Sequence, residues 1–347
     1  MCHTCQVTSF RISRPICVLG LGLIGGSLLR ALVDANVPTF GFNRSPSGAR
    51  AAAKDGFDVS SDLQTTLTRA EKEGALIVLA TPMTAVAPLL DAIAEHAPNC
   101  GFTDVVSVKG RVLDQVKERN MEERYVGGHP MAGTANSGWE ASDATLFRGA
   151  PWVVTFDYAV EHQASKTWIK LWTDVALMAQ LVGAEVIPAR VKVHDRAVAR
   201  ISHLPHILAE TLAIVGDNGG ALSLSLAAGS FRDGTRVAGS APSLVRAMCE
   251  TNSEALLSAL DEAMVLLADA RAHLAETNPN LEELIDAGYR SRIRYEARSG
   301  QPSADSVSPL QISSRPVFRL HPGAPGWLNQ LKQAENIGAR VEVLNIA

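Results

Sequence analysis

From residue 14 onward, short apolar runs alternate with amphipathic stretches. ICVLGLG (16–22) is an apolar, β-branched run, followed by helical periodicity through SLLRALVDA (27–35). VPTFGF (37–42) reads as a second strand, and SPSGARAAAKDG (45–56) opens on Ser and closes on Gly, the start and stop signals of a helix. ALIVLATP (75–82), GFTDVVSV (101–108), RYVGGHPM (124–131), APWVVTF (150–156) and GAEVIPA (183–189) add further strands. Helices are expected at about 84–96 and around Trp168, Leu171, Trp172, Val175 and Leu181. Strands separated by helices need crossover connections, so the pattern predicts an α/β fold with a mostly parallel sheet covered on both faces.

The periodicity changes near residue 189. From there to 298 helical spacing dominates, as in EALLSALDEAMVLLADARAHL (254–274), and strand signals are weak. Pro205 is expected to kink or restart a helix. The expected organisation is therefore 1–188 as an α/β domain, 189–298 as an all-helical domain and 299–347 as a linker and short tail. The long apolar helix faces fit a dimer interface or a monomeric core equally well. SGQPSADSVSPLQISS (299–314) has the composition of a linker. Beyond it PVFRLHP, GWLNQLKQAENIG and ARVEVLNIA form a βαβ-like tail too small for its own core. It is expected to dock on the body or to complete a sheet with another chain.

With 347 residues, 46% of them hydrophobic, the chain can bury two cores. A net charge of −4 and an aromatic content of 5% give no basis for nucleic acid or an anionic membrane as partner. No apolar run approaches the ~18–20 residues of a membrane span. The start, MCHTCQVTSFRISRPICVLG, lacks the layout of a signal peptide, so the expected location is cytoplasmic. Cysteines at 2, 5, 17, 100 and 249 form no disulfide framework. Cys2, His3 and Cys5 are half of a zinc-ligand pattern that no second pair completes, and no metal is expected.

Chemistry enters at Gly20-Leu21-Gly22-Leu23-Ile24-Gly25, a G-x-G-x-x-G that follows a predicted strand and opens a predicted helix. Gly20 permits the tight turn, Gly22 lets the backbone approach a pyrophosphate, and Gly25 lets helix and strand pack closely. Free N–H groups at Leu23 and Ile24 then hold phosphate. This is the layout of a Rossmann-type, doubly wound dinucleotide site. An NAD site places Asp or Glu about 20 residues on, for the ribose 2′-hydroxyl. Here stand Asn43, Arg44 and Ser45: no carboxylate to repel a 2′-phosphate, a guanidinium to pair with it and a hydroxyl beside it. The expected cofactor is NADP, with NAD the alternative and a solvated arginine the bland reading.

Ligands of such sheets bind beyond the carboxyl ends of the strands. Thr81-Pro82, Ser107-Val108-Lys109-Gly110 and His129-Pro130-Met131-Ala132-Gly133-Thr134 fall there. Beside a nicotinamide, His129 has the right titration range for an acid/base, and Ser107 can hydrogen-bond it or the nicotinamide. Taken alone, His129 is also compatible with a structural histidine.

Together GLGLIGGSLLRAL, LATP, SVKG, GGHPMAGT and, about 70 residues later, SHLPH resemble the prephenate/arogenate dehydrogenase family of tyrosine biosynthesis, over residues 14–298. The resemblance implies a Rossmann-type domain followed by a helical dimerisation domain, and hence a homodimer. It implies oxidative decarboxylation of a cyclohexadienol, with His129 accepting the C4 hydroxyl proton and Ser107 orienting that histidine near the cofactor. Arg236 matches the arginine that holds the ring carboxylate; His206 and Thr134 match substrate-side positions, and His203 shares a helix face with His206 by its spacing. The NADP-type features are similar to those of the arogenate-using branch, and prephenate with NAD is the alternative. Some members carry an acidic residue where this chain has Ala135-Asn136-Ser137, and others a Trp where it has Leu244-Val245-Arg246. A different Rossmann-plus-helical hydroxyacid or imino-acid dehydrogenase, or a dinucleotide-binding module without turnover, would leave GGHPMAGT and SHLPH unexplained.

Overall fold

The computed structural model describes residues 12–134, 136–299 and 315–344. Cys2, His3, Cys5, Ala135 and, beyond Ser299, the expected linker lie outside them. Contacts divide the chain into two units, Met1–His194 with Val317–Ala347, and Asp195–Pro316.

The first unit begins with six parallel strands: β1 (Ile16–Leu19), β2 (Thr39–Phe42), β3 (Val59–Ser60), β4 (Leu76–Leu79), β5 (Phe102–Asp104) and β6 (Tyr125–Val126). Their spatial order is β3-β2-β1-β4-β5-β6, the doubly wound arrangement, whose order reverses between β1 and β4. Strands covered on both faces need apolar residues at every position, and ICVL and LIVL are fully buried throughout. Ile16 and Val18 point into one core, Cys17 and Leu19 into another.

Two segments differ from the pattern of the sequence. RYVGGHPM is not one strand: it breaks at Gly127 into β6 and β7 (Gly128–Pro130), which belong to different sheets. GFTDVVSV is extended only as far as Asp104, because the buried Asp104 carboxylate accepts the Val106 N–H at 3.0 Å and turns the chain. A second, mixed sheet follows, made of β7, β8 (Pro151–Thr155), β9 (Glu185–Ala189), β10 (Val317–Leu320) and β11 (Arg340–Val343), in the order β10-β11-β9-β8-β7. The tail therefore docks on the body: β11 pairs antiparallel with β9, and Leu331, Ala334 and Val343 enter the same core as the Lys166–Leu181 helix.

Asp157 lies just after β8, and its carboxylate accepts the N–H of Val191, just after β9, at 2.9 and 3.1 Å. Burial pushes its carboxyl from 3.8 up to about 6, and the Glu161 and Glu335 carboxylates add to the shift. Between those values the folded protein holds a proton that the unfolded chain has lost. This contribution to stability therefore falls as pH rises through that window and is gone above about 6. Asp157→Asn keeps an acceptor for Val191 and removes the titration. Melting temperature should decline less with rising pH across this window in the variant than in the wild type; parallel curves would refute the assignment.

The second unit is helical, from Leu204–Asn218 through Ser253–Leu274 to Glu282–Ser299. Pro205 restarts a helix as expected, in the first turn of Leu204–Asn218 and directly after a π-helical turn at Ala199–His203. Its buried apolar cluster is small, Val245, Cys249 and Leu256. Ile214, Val215, Leu226 and Val265 are all more than 60% exposed. No helix among the described residues is long and apolar enough to cross a membrane.

Candidate active site

The loops after β1 and β4 part at the reversal of strand order, which opens a crevice at their carboxyl ends. Gly20 sits there with φ +103°, and a Cβ would stand 2.6 Å from the Ala80 carbonyl oxygen. A Cβ on Gly25 would lie 1.9 Å from the Gly20 oxygen, so helix and turn meet only because both residues are glycine. Gly22 differs: a Cβ there would meet nothing within 4 Å. Its missing side chain serves no packing within the protein and leaves the backbone open at the N-terminus of the Leu23–Asp34 helix. That terminus has no side-chain cap, so the first-turn amides of Leu23 and Ile24 are available to phosphate. Across the crevice the buried Thr81 hydroxyl has no hydrogen-bond partner among the described residues, and the exposed Pro82 follows it. A dinucleotide fits this donor set.

At the end of β2, Asn43 is turned inward, its side-chain oxygen accepting the Leu21 N–H at 3.4 Å, so it also braces the glycine loop. Arg44 is exposed and pairs with no carboxylate among the described residues. Ser45 caps the Pro46–Lys54 helix through the Gly48 N–H at 3.4 Å and shares a 2.8 Å hydrogen bond with Ser47. A guanidinium and two hydroxyls thus stand together at a helix N-terminus.

His129 is the central residue of β7, nine-tenths buried, with its Nδ1 2.9 Å from Nε2 of His194. The rings meet edge to face at 79°. His194 comes from the first turn of the Val191–Val198 helix. No motif in the sequence signals this partnership, because the two histidines stand 65 positions apart. Ser107 is half-buried in the bend after β5, and Thr134 is exposed, bonded to the backbone of Asn136.

The backbone before His129 is pinned from below. Asp104 and Lys109, both fully buried, form an ion pair. Lys109 donates to the Gly128 carbonyl at 2.7 Å, and Asp104 accepts from Tyr125 Oη at 2.8 Å and from the Gly128 N–H at 3.4 Å. Both backbone groups of Gly128 are therefore held by one buried pair. A lone Asp and Lys inside the apolar stretch FTDVVSVK was the available signal.

In the helical unit, His203 ends a π-helical turn and His206 lies three residues on, in the first turn of the helix that follows. His203 is buried, its Nδ1 3.1 Å from the Asn252 amide, which also donates to the Asp195 carbonyl at 2.8 Å. His206 is half-buried with an unpartnered Nδ1; burial lowers its pKa, the Glu210 carboxylate opposes this, and the Arg236 guanidinium lowers it further. Arg236, exposed at the start of the Arg236–Gly239 turn, is thus brought beside His206. No group of three or more His, Cys, Asp or Glu able to hold a metal occurs among the described residues.

Two family models match the chain: prephenate dehydrogenase, nucleotide-binding domain, over residues 30–180, and prephenate dehydrogenase, dimerization domain, over residues 190–287. A cyclohexadienyl dehydrogenase of Zymomonas mobilis is 31% identical over 76% of this chain and 89% of its own. A Corynebacterium glutamicum crystal structure, described as a candidate prephenate dehydrogenase, is 63% identical, with a TM-score of 0.90 over 96% of this chain and all of its own. Synechocystis arogenate dehydrogenase is 29% identical, with a TM-score of 0.68 over 81% of this chain and 99% of its own. The glycine cradle, the buried histidine on β7 and these matches across both units have one reading: the chain belongs to the prephenate/arogenate dehydrogenase family, NAD(P)-dependent enzymes.

Proposed function

We propose that the protein is an arogenate dehydrogenase that uses NADP, converting arogenate to tyrosine, carbon dioxide and NADPH. The observation that carries the reaction is the buried pair of His129, on β7, with His194. With Nδ1 of His129 2.9 Å from Nε2 of His194, one ring nitrogen donates to the other. With His194 as acceptor, His129 is fixed as the Nδ1–H tautomer, and its Nε2 keeps a lone pair for the substrate hydroxyl. When bound, the nicotinamide supplies the acceptor for the hydride that leaves C4. His129 takes the hydroxyl proton in the same event, and His194 spreads the resulting charge. The electrons of the bond to the C1 carboxylate then pass into the ring, carbon dioxide leaves and the ring becomes aromatic. Ser107 helps to place His129 against the cofactor. Arg236 holds the ring carboxylate through its planar fork, with His206 and Thr134 on the substrate side. Gly20, Gly22, Leu23, Ile24, Gly25, Thr81 and Pro82 hold the dinucleotide.

NADP is favoured by Asn43, Arg44 and Ser45, where the sequence places no carboxylate to oppose a 2′-phosphate and a guanidinium that pairs with no carboxylate among the described residues is available for it. Arogenate is favoured by the association of this arrangement with the arogenate-using branch; prephenate with NAD is the second reading, supported by the name shared by the family models. The exposed apolar residues of the helical unit and the name of its family model support a homodimer. Arg44→Ser tests the cofactor assignment. The KM for NADP should rise roughly 10-fold or more, as expected for losing one charge-assisted contact of 1.5–3 kcal/mol, with the KM for NAD nearly unchanged. Equal effects on both cofactors would remove Arg44 from 2′-phosphate recognition.

A further inference from the structure

The C-terminal tail lies beyond both family-model matches, which end at residues 180 and 287, yet it is tied to the element that carries His194. Glu335, in the Trp327–Ile337 helix, has a carboxylate only 3% exposed. One oxygen accepts the backbone N–H of Arg190 at 2.6 Å, and the other accepts from the Arg190 guanidinium at 2.8 and 2.6 Å. Arg190 immediately precedes the Val191–Val198 helix, and its carbonyl accepts the N–H of His194 at 2.8 Å. Asp157 holds the next amide, Val191. Two carboxylates therefore satisfy two of the orphan donors at the start of this helix, the amides of Arg190 and Val191, and complement its dipole. Its first turn presents His194 to His129.

We infer that Glu335 is a positioning residue for the reaction: through Arg190 it fixes the helix turn that holds His194 against His129. This rests on the reading of His129 as the base. The tail itself is anchored independently, by β11 on β9 and by buried Leu331 and Ala334. The carboxylate of Glu335 can thus be altered without removing the tail. An amide has one acceptor oxygen where the carboxylate has two, so Glu335→Gln turns an NH2 group toward one of the Arg190 donors.

The test combines kinetics with imidazole 15N NMR on the full-length protein. In Glu335→Gln, kcat should fall roughly two- to thirty-fold, the range for residues that act through a packed network, with the dinucleotide KM unchanged. The 15N resonances of the His129–His194 pair should shift without substrate present. In a His194→Gln background the same substitution should add no further loss, because its route is already cut. A lowered melting temperature with unchanged kcat and unchanged 15N shifts would reduce Glu335 to a structural tie and overturn the inference. Losses that multiply independently in the double variant would do the same. Failure of the base assignment is read separately: His129→Asn would then retain turnover, whereas the NMR response to Glu335→Gln does not depend on which residue is the base.

Discussion

His129→Asn should lower kcat by about 10²–10⁴, the usual contribution of a positioned acid/base, while dinucleotide affinity stays near the wild-type value. Asparagine keeps a polar atom near the ring's Nδ1 position, toward His194, but cannot take a proton at the position of Nε2. The phosphate cradle lies at the reversal of strand order between β1 and β4, and His129 on a different sheet, so the cofactor's phosphate contacts are untouched. The measurement is kcat beside dinucleotide affinity from fluorescence quenching. A large kcat loss with binding retained identifies the base. Retained turnover would move the chemistry to a lysine- or threonine-type dehydrogenase mechanism, and a parallel loss of binding would mean that β7 had been distorted.

Lys109→Met should be the most destabilising single substitution in the core of the first unit. Asp104 and Lys109 are both fully buried, and removing the ammonium leaves a carboxylate with only neutral donors, from Tyr125, Val106 and Gly128. Breaking such a pair costs about 3–5 kcal/mol because the remaining charge is left uncompensated. The double variant Lys109→Met with Asp104→Asn removes that charge and should recover part of the loss. Urea unfolding of the two variants checks this. A loss below about 1 kcal/mol for Lys109→Met, in the range of an exposed pair, would show that the pair is hydrated and does not pin Gly128. Because Gly128 precedes His129 in β7, kcat should fall together with stability.

The dinucleotide half of the fold was legible because its signals are local. ICVLGLG and ALIVLATP are continuous apolar runs, and the glycine spacing states its own reason, as the 1.9 Å approach at Gly25 bears out. The split of RYVGGHPM between two sheets was not legible, since both halves have strand composition and only the Asp104–Lys109 pair beneath Gly128 shows where the register breaks. The place of the tail in the second sheet depends on pairing between residues more than 150 positions apart, Val186 with Val341, which no local pattern encodes. In the site, His129 and Arg44 could be named from their motifs. His194 and Glu335 could not, because each acts through a partner far away in the chain. The tie of His203 to Asn252, 49 positions away, was not legible either, because no local spacing encodes it.

The most direct measurement of the central claim is dinucleotide reduction by the purified protein with arogenate and prephenate in parallel, each with NADP and with NAD. The account predicts the highest kcat/KM for arogenate with NADP, with carbon dioxide released in step with NADPH. Absence of turnover on either cyclohexadienol with either cofactor would contradict it.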